Sequence, residues 1–195
     1  ESSQQTLNGP AAFGNRVTAT VSRNGDLLHR YYLKLAASEA MATTNAFLWL
    51  KNVEVQIGGQ QIDKHTAEWM QVWSELSTPD SKAAAFRAMT GCVGVTGSGT
   101  DGVANLVQVP LQFWFCRNPG LALPLIALQY HEVKLKFKFG TSATDGTGAG
   151  AAAVVEVYCD YIYLDTEERR RFAQVSHEYL IEQVQREQGA MSLSQ

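Results

Sequence analysis

Apolar and polar positions alternate with a period of two along much of this 195-residue chain, the pattern of strands with one buried face. Val17, Ala19 and Val21 alternate with Thr18, Thr20 and Ser22. The Asn24-Gly25 dipeptide that follows predicts a hairpin, because both residues tolerate positive φ. The return strand carries His29, Tyr31, Leu33 and Leu35 on one face. Val53, Val55 and Ile57 alternate next, and Gly58-Gly59 can turn the chain into QQIDK. The clearest strand is VKLKFKF, with Val133, Leu135, Phe137 and Phe139 on one side and Lys134, Lys136 and Lys138 on the other. Residues 105–115 place Val107, Val109, Leu111, Phe113 and Phe115 together, with Pro110 arguing for a bulge or an edge. VVEVYCDYIYLD is apolar on both faces in its second half, so both sides need cover. HEYLIEQVQ fits a last strand or a short helix equally well.

Helical spacing interrupts these strands. In HTAEWMQVWSELS, Trp69, Trp73 and Leu76 recur on one stripe beside Val72. SKAAAFRAMTG is Ala-rich, and Gly91 suits a helix stop. Asp165 can cap a short helix with Glu168 at its third position, a capping-box arrangement. Two Gly-, Ser-, Thr- and Ala-rich stretches, 91–102 and 140–153, read as exposed loops. Roughly eight strands with helices confined to the connections predict an all-β fold, an eight-stranded antiparallel jelly-roll sandwich.

The greasiest segment, PLQFWFCRNPGLALPLIALQY (110–130), tests that reading. Its charge-free part, residues 118–130, has thirteen residues and contains Pro119, Gly120 and Pro124. A membrane helix needs roughly 20 apolar residues, so this is no span. Its first half is expected to fill the sandwich core. The LALPLIAL part is expected to pack under a neighbouring loop or against another subunit. Arg117 between them needs a carboxylate or carbonyl partner, because a buried unpaired charge is costly.

Composition narrows the chemistry. Apolar residues at 45% exclude a disordered chain, and a net charge of −3 offers no global attraction to nucleic acid. Cys92, Cys116 and Cys159 form no C-x-x-C pair and read as free thiols. GSGTDG (97–102) satisfies G-x-G-x-x-G, but a strand follows it where a dinucleotide site needs a helix. His131-Glu132 and His177-Glu178 begin like a zinc motif, yet Leu135 and Ile181 stand where the second histidine belongs. No nucleophile elbow is present. No catalytic residue, cofactor or metal ligand is therefore assigned. The lysine stripe and the cluster Arg169, Arg170 and Arg171 remain as charged surfaces. The lysine stripe reads first as a solvated face and second as a contact for an acidic partner or a neighbouring subunit. The arginine cluster could be read as a nucleic-acid patch, but Glu167 and Glu168 neutralise part of it and no interleaved aromatics offer base stacking, so it reads as structural salt bridging or a protein contact. On an edge strand the lysines would also discourage edge-to-edge aggregation.

Five long strings, FGNRVTATVSRNGDLLHRYYL, GGQQIDKH, EWMQVWSEL, VPLQFWFCRNPGLALPLIALQYHEVK and DYIYLDTEERRRFAQVSHEYLIEQ, closely resemble major capsid proteins of nucleocytoplasmic large DNA viruses. They occur in that family's order across residues 4–185. The resemblance implies the first of two consecutive jelly rolls, over residues 1–186, with 187–195 as a tail or the start of a linker to a second jelly roll. It implies a structural role without catalysis: homotrimeric pseudo-hexagonal capsomers tiling an icosahedral shell, assembled in the host cytoplasm. The implied partners are copies of the chain and minor capsid proteins, near an internal viral membrane and without direct nucleic-acid contact. Lys134, Lys136, Lys138, Arg117, Arg169, Arg170 and Arg171 are the candidate interface residues. A carbohydrate- or receptor-binding jelly roll is the alternative, and a metal-dependent barrel enzyme a more distant one.

Overall fold

The computed structural model describes residues 1–12, 14–37, 46–90, 106–140, 153–187 and 189. Ten strands occur among them: β1 (Ser2–Gln5), β2 (Leu7–Asn8), β3 (Arg16–Thr20), β4 (Leu27–Ala37), β5 (Leu50–Ile57), β6 (Gln60–Thr66), β7 (Leu106–Pro110), β8 (Leu123–Pro124), β9 (Val133–Phe139) and β10 (Ala153–Ile162). Short helices fill the connections: α1 (Ala46–Trp49), α2 (Ala67–Ser77), α3 (Asp80–Thr90), α4 (Trp114–Arg117) and α5 (Thr166–Gln174). Two antiparallel sheets face each other. The first runs β1-β10-β4-β7 with β8 beside β4, and the second runs β2-β3-β9-β5-β6. With the two-residue β2 and β8 set aside, eight strands remain, and among these only β5 pairs with its successor in sequence, β6. That winding, with the chain changing sheet at most connections, is the jelly roll.

The alternation in the sequence becomes the core directly. Val17, Ala19, Leu33, Leu35, Val53, Val55, Leu135, Phe137 and Val157 point inward and are all but fully buried. β9 alternates without a break between buried and half-buried positions. Gly58 and Gly59 both adopt positive φ, at 59° and 86°, and close the β5–β6 turn. β10 is buried along Val157, Cys159 and Tyr161, while Tyr158, Asp160 and Ile162 between them are half-covered.

Four expectations fail, each for a packing reason. The Asn24-Gly25 hairpin does not form, because β3 and β4 lie in different sheets and residues 21–26 cross between them. Gly25 is required there by close approach: a Cβ would sit 2.5 Å from the Tyr161 Cβ. The strand proposed over 105–115 ends at Pro110, on the sheet-edge strand β7, and the chain turns into α4. Phe113, Trp114, Phe115 and Cys116 are all buried, because this turn and its flank are covered on every side, where a strand with one wet face would have turned alternate residues outward. HEYLIEQVQ forms neither strand nor helix, but an extended tail. In α2 the buried face is Ala67, Met70 and Ser74, whereas Val72 and Leu76 are exposed.

Asp165 is the N-cap of α5 as expected, but its side chain accepts from the adjacent Thr166 amide and not from that of Glu168. Thr66 caps α2 by accepting from the Trp69 amide, a cap that the sequence pattern does not single out. In LALPLIAL, expected under a neighbouring loop or against another subunit, Leu123–Pro124 joins the first sheet as β8 beside β4. Leu123 and Pro124 pair with Leu28 and Leu27, and the Leu125 amide bonds the Asp26 carbonyl at 2.9 Å. Gly91 and both glycine-rich loops, apart from Gly140 and Ala153, lie outside the described residues. Their flanks converge, however. Ala37 pairs with Ala153, Ala36 pairs with Leu106, and the Gly140 amide bonds the Trp49 carbonyl, so three connections leave one end of the sandwich.

Candidate interaction surfaces

The outer face of the second sheet is basic. Lys134, Lys136 and Lys138 project from β9, with Thr20, Thr18 and Arg16 opposite them on β3. On the other flank stand Gln56, Glu54 and Asn52 of β5. Two carboxylates answer part of this charge: Glu54 holds Lys64 at 3.0 Å, and Glu132 holds Lys134 at 2.6 Å. The bond to Lys134 draws the Glu132 carboxyl below its usual pKa. β9 is the central strand of its sheet, so the stripe does not guard an edge. It is a broad face, not a rim.

Arg117 lies elsewhere, at the end of α4. Its Nε donates to the Gln112 carbonyl at 3.2 Å, its Nη1 pairs with the Glu182 carboxylate, and its guanidinium lies 4.1 Å from the Trp73 ring centre. The expected partner is therefore double, a carbonyl and a carboxylate, with a cation–π contact added. This node fastens α4, α2 and the tail after α5 to one another. A second clasp holds the same tail. Asp63 of β6 is buried, and its Oδ1 accepts from the Lys64 amide at 2.8 Å and the Val184 amide at 3.0 Å. Its Oδ2 faces His65 Nε2 at 2.9 Å, and the His65 ring stacks on Phe113 at 4.4 Å. Burial alone would raise the Asp63 pKa, but the bonds from His65, Val184 and Lys64 outweigh it and hold the carboxyl below its usual value. The clasp eluded sequence reading because Asp63 and Val184 are far apart in the chain. The one available signal was a charged residue on the inward register of a strand.

Arg169, exposed on α5, pairs at 2.9 Å with the largely covered Asp26, whose carboxylate accepts the Leu164 amide as well. Arg170 and Arg171 are exposed on α5. The candidate residues thus occupy three separate places: the sheet face, the tail node and the α5 surface. The four histidines are scattered too. His29 meets the Phe115 carbonyl, His65 meets Asp63, His131 lies against Gly58, and His177 meets the Phe172 carbonyl. Among the described residues, no group of three or more His, Cys, Asp or Glu side chains gathers to hold a metal ion. Likewise, no described helix is long and apolar enough to cross a membrane.

Comparison with known proteins accounts for this pattern of a sealed core and charged faces. Residues 1–165 match the family model described as major capsid protein N-terminus. The major capsid protein of Pyramimonas orientalis virus is 52% identical over 197 residues, covering 95% of this chain and 49% of the relative. That of Paramecium bursaria Chlorella virus 1 is 42% identical, covering 95% and 44%. The chain therefore spans about half the length of the curated relatives it matches. Among solved structures, the quasi-atomic model of the PBCV-1 virus capsid superposes with a TM-score of 0.83 at 41% identity, over 95% of this chain and 47% of that one. The Faustovirus major capsid protein, at 13% identity and a TM-score of 0.59, shares the fold. The chain belongs to the major capsid protein family of nucleocytoplasmic large DNA viruses, matching that family's N-terminal region over residues 1–165.

Proposed function

We propose that this jelly roll is a building block of an icosahedral virion shell, working through contacts with copies of itself. The observation that carries the reading is the match of residues 1–165 to the N-terminal region of major capsid proteins, reinforced by 52% identity to one such protein. The physical design agrees with it. The sandwich interior is filled by side chains, and polar chemistry is displayed on the outside. In this reading residues 1–186 form the first of two jelly rolls, and 187–195 lead toward the second. Three double-jelly-roll subunits make a pseudo-hexagonal capsomer. Minor capsid proteins bind between capsomers, which assemble in the host cytoplasm near the internal membrane. The protein does no chemistry.

Lys134, Lys136, Lys138, Arg170 and Arg171 are the contact residues, because they present cations outward. Arg117 and Arg169 act within the subunit, fixing the surfaces beside them. Sedimentation velocity on the full-length protein tests the scheme. Trimers with interfaces above about 2,000 Å² are expected. Monomers alone at high concentration would overturn it.

A further inference from the structure

The outer face of the first sheet carries a compact arrangement of aromatic and paired charged residues. Three residue pairs stand directly opposite one another on the neighbouring strands β10 and β4: Asp160 with Arg30, Tyr158 with Tyr32, and Glu156 with Lys34. Gln4 of β1 lies beside Tyr158, while Gln108 and Pro110 of β7 flank Lys34 and Tyr32. Two aromatic rings are thus framed, above and below, by two pairs of opposite charge.

One charge pair closes into an ion pair, and the other stands opposite across the two strands. Lys34 Nζ donates to Glu156 at 2.7 Å, and the Tyr158 hydroxyl donates to the same carboxylate at 3.2 Å. Arg30 Nη1 reaches the Tyr32 hydroxyl at 3.5 Å and sits opposite Asp160. Lys34 Nζ also lies 5.9 Å from the Tyr158 ring centre. A shallow hollow of about 470 Å³ results, lined by Ser2, Tyr32, Lys34, Gln108 and Tyr158. The platform spans about 14 Å along the strands and about 14 Å across four of them.

This chemistry selects its ligand. A face whose two cations and two anions cancel gives no advantage to a charged ligand, unlike the basic sheet opposite. Half-exposed tyrosine rings offer flat apolar surface. Around them, hydroxyl, amide, ammonium and carboxylate groups supply both donors and acceptors at short range. A ligand matching all of this is flat and apolar on one side, rich in hydroxyls at its edge, and uncharged. We propose that the Tyr32–Tyr158 platform is a binding site for a neutral oligosaccharide. The site stands apart from the shell reading, which survives if this proposal fails.

The test uses the full-length protein in its assembled form and a panel of neutral trisaccharides of gluco, manno and galacto configuration. Saturation-transfer NMR and calorimetry are expected to show saturable binding of at least one of them. Tyr32→Ala and Tyr158→Ala should each weaken it by about tenfold or more, which is about 1.4 kcal/mol. Tyr158→Phe, which keeps the ring, should retain most of the affinity. Gln108→Ala, a change at an exposed position on the sheet edge, should weaken binding without endangering the fold. Three results would overturn the proposal. One is no saturable binding up to about 10 mM. Another is binding indifferent to both alanine variants and to Gln108→Ala. The third is loss of assembly in those variants without any saccharide effect, which would assign the face to a second copy of the chain.

Discussion

At the scale of single residues, buried polar groups are where this protein commits its charge. Asp63 sits inside the sandwich yet stays ionised, because three donors converge on it. Its folded pKa lies below the unfolded value near 3.8. The stability it contributes is therefore fully present above that value and lost as pH falls through and below it. Asp63→Asn should lower stability at pH 7 by about 1–3 kcal/mol, since it weakens the partners of Val184 and His65. It should also flatten the loss of stability below about pH 4 relative to the parent. Urea denaturation at a series of pH values measures both effects. An unchanged acid limb would mean that other carboxylates set it. Cys116 and Cys159 behave differently: burial pushes the Cys116 thiol up to about 12 and raises Cys159 as well, so both remain protonated and inert near neutral pH.

At the scale of elements, α4 is a short helical turn with a large share of the core. Phe115 is completely buried, packed edge-on against Tyr31 at 5.7 Å and against Trp114 at 4.9 Å. Phe115→Ala should cost about 3–5 kcal/mol, from lost burial and from a cavity its ring neighbours cannot fill. A shift in the denaturation midpoint with an unchanged slope confirms a local packing loss; a shift below about 1 kcal/mol would place the ring outside the core. The same element shows what the chain makes legible. Long alternating runs such as VKLKFKF transfer straight into strands, since period two has one structural solution there. Residues 111–115 also alternate, yet Pro110 ends the ladder and the ring volumes are better used by a helical turn pointing into the interior. Asn24-Gly25 misleads for a related reason. A local turn preference worth a fraction of a kcal/mol yields to the burial of Val17, Ala19, Leu33 and Leu35 in opposite sheets. Trp69, Val72, Trp73 and Leu76 lie at the right spacing, but periodicity reports a stripe and not what covers it. The cover for Trp73 comes from Arg117 of α4, itself tied to Glu182 of the distant tail.

For the molecule as a whole, the two sheets divide the surface between opposite electrostatic characters. The β1-β10-β4-β7 face cancels its own charges, whereas the β9-centred face leaves a cationic excess of Arg16, Lys64, Lys134, Lys136 and Lys138 over Glu54 and Glu132. Within one subunit that excess is self-repulsive, and the lysines stand at alternate positions of one strand with no change in the core beneath them. A surface that costs stability alone becomes favourable where a neighbouring acidic surface meets it, and the resulting attraction decays over about 8 Å at physiological ionic strength. The triple variant Lys134→Gln, Lys136→Gln and Lys138→Gln should therefore fold with stability within about 0.5 kcal/mol of the parent, as exposed substitutions do. Its assembly should weaken, and the dependence of assembly on salt should shrink, because the charges that salt screens are gone. Sedimentation of parent and variant full-length proteins at low and high ionic strength reads both effects. Equal assembly by the two at every salt concentration would show that the stripe faces only water, leaving Arg170 and Arg171 as the cations to test at the subunit boundary.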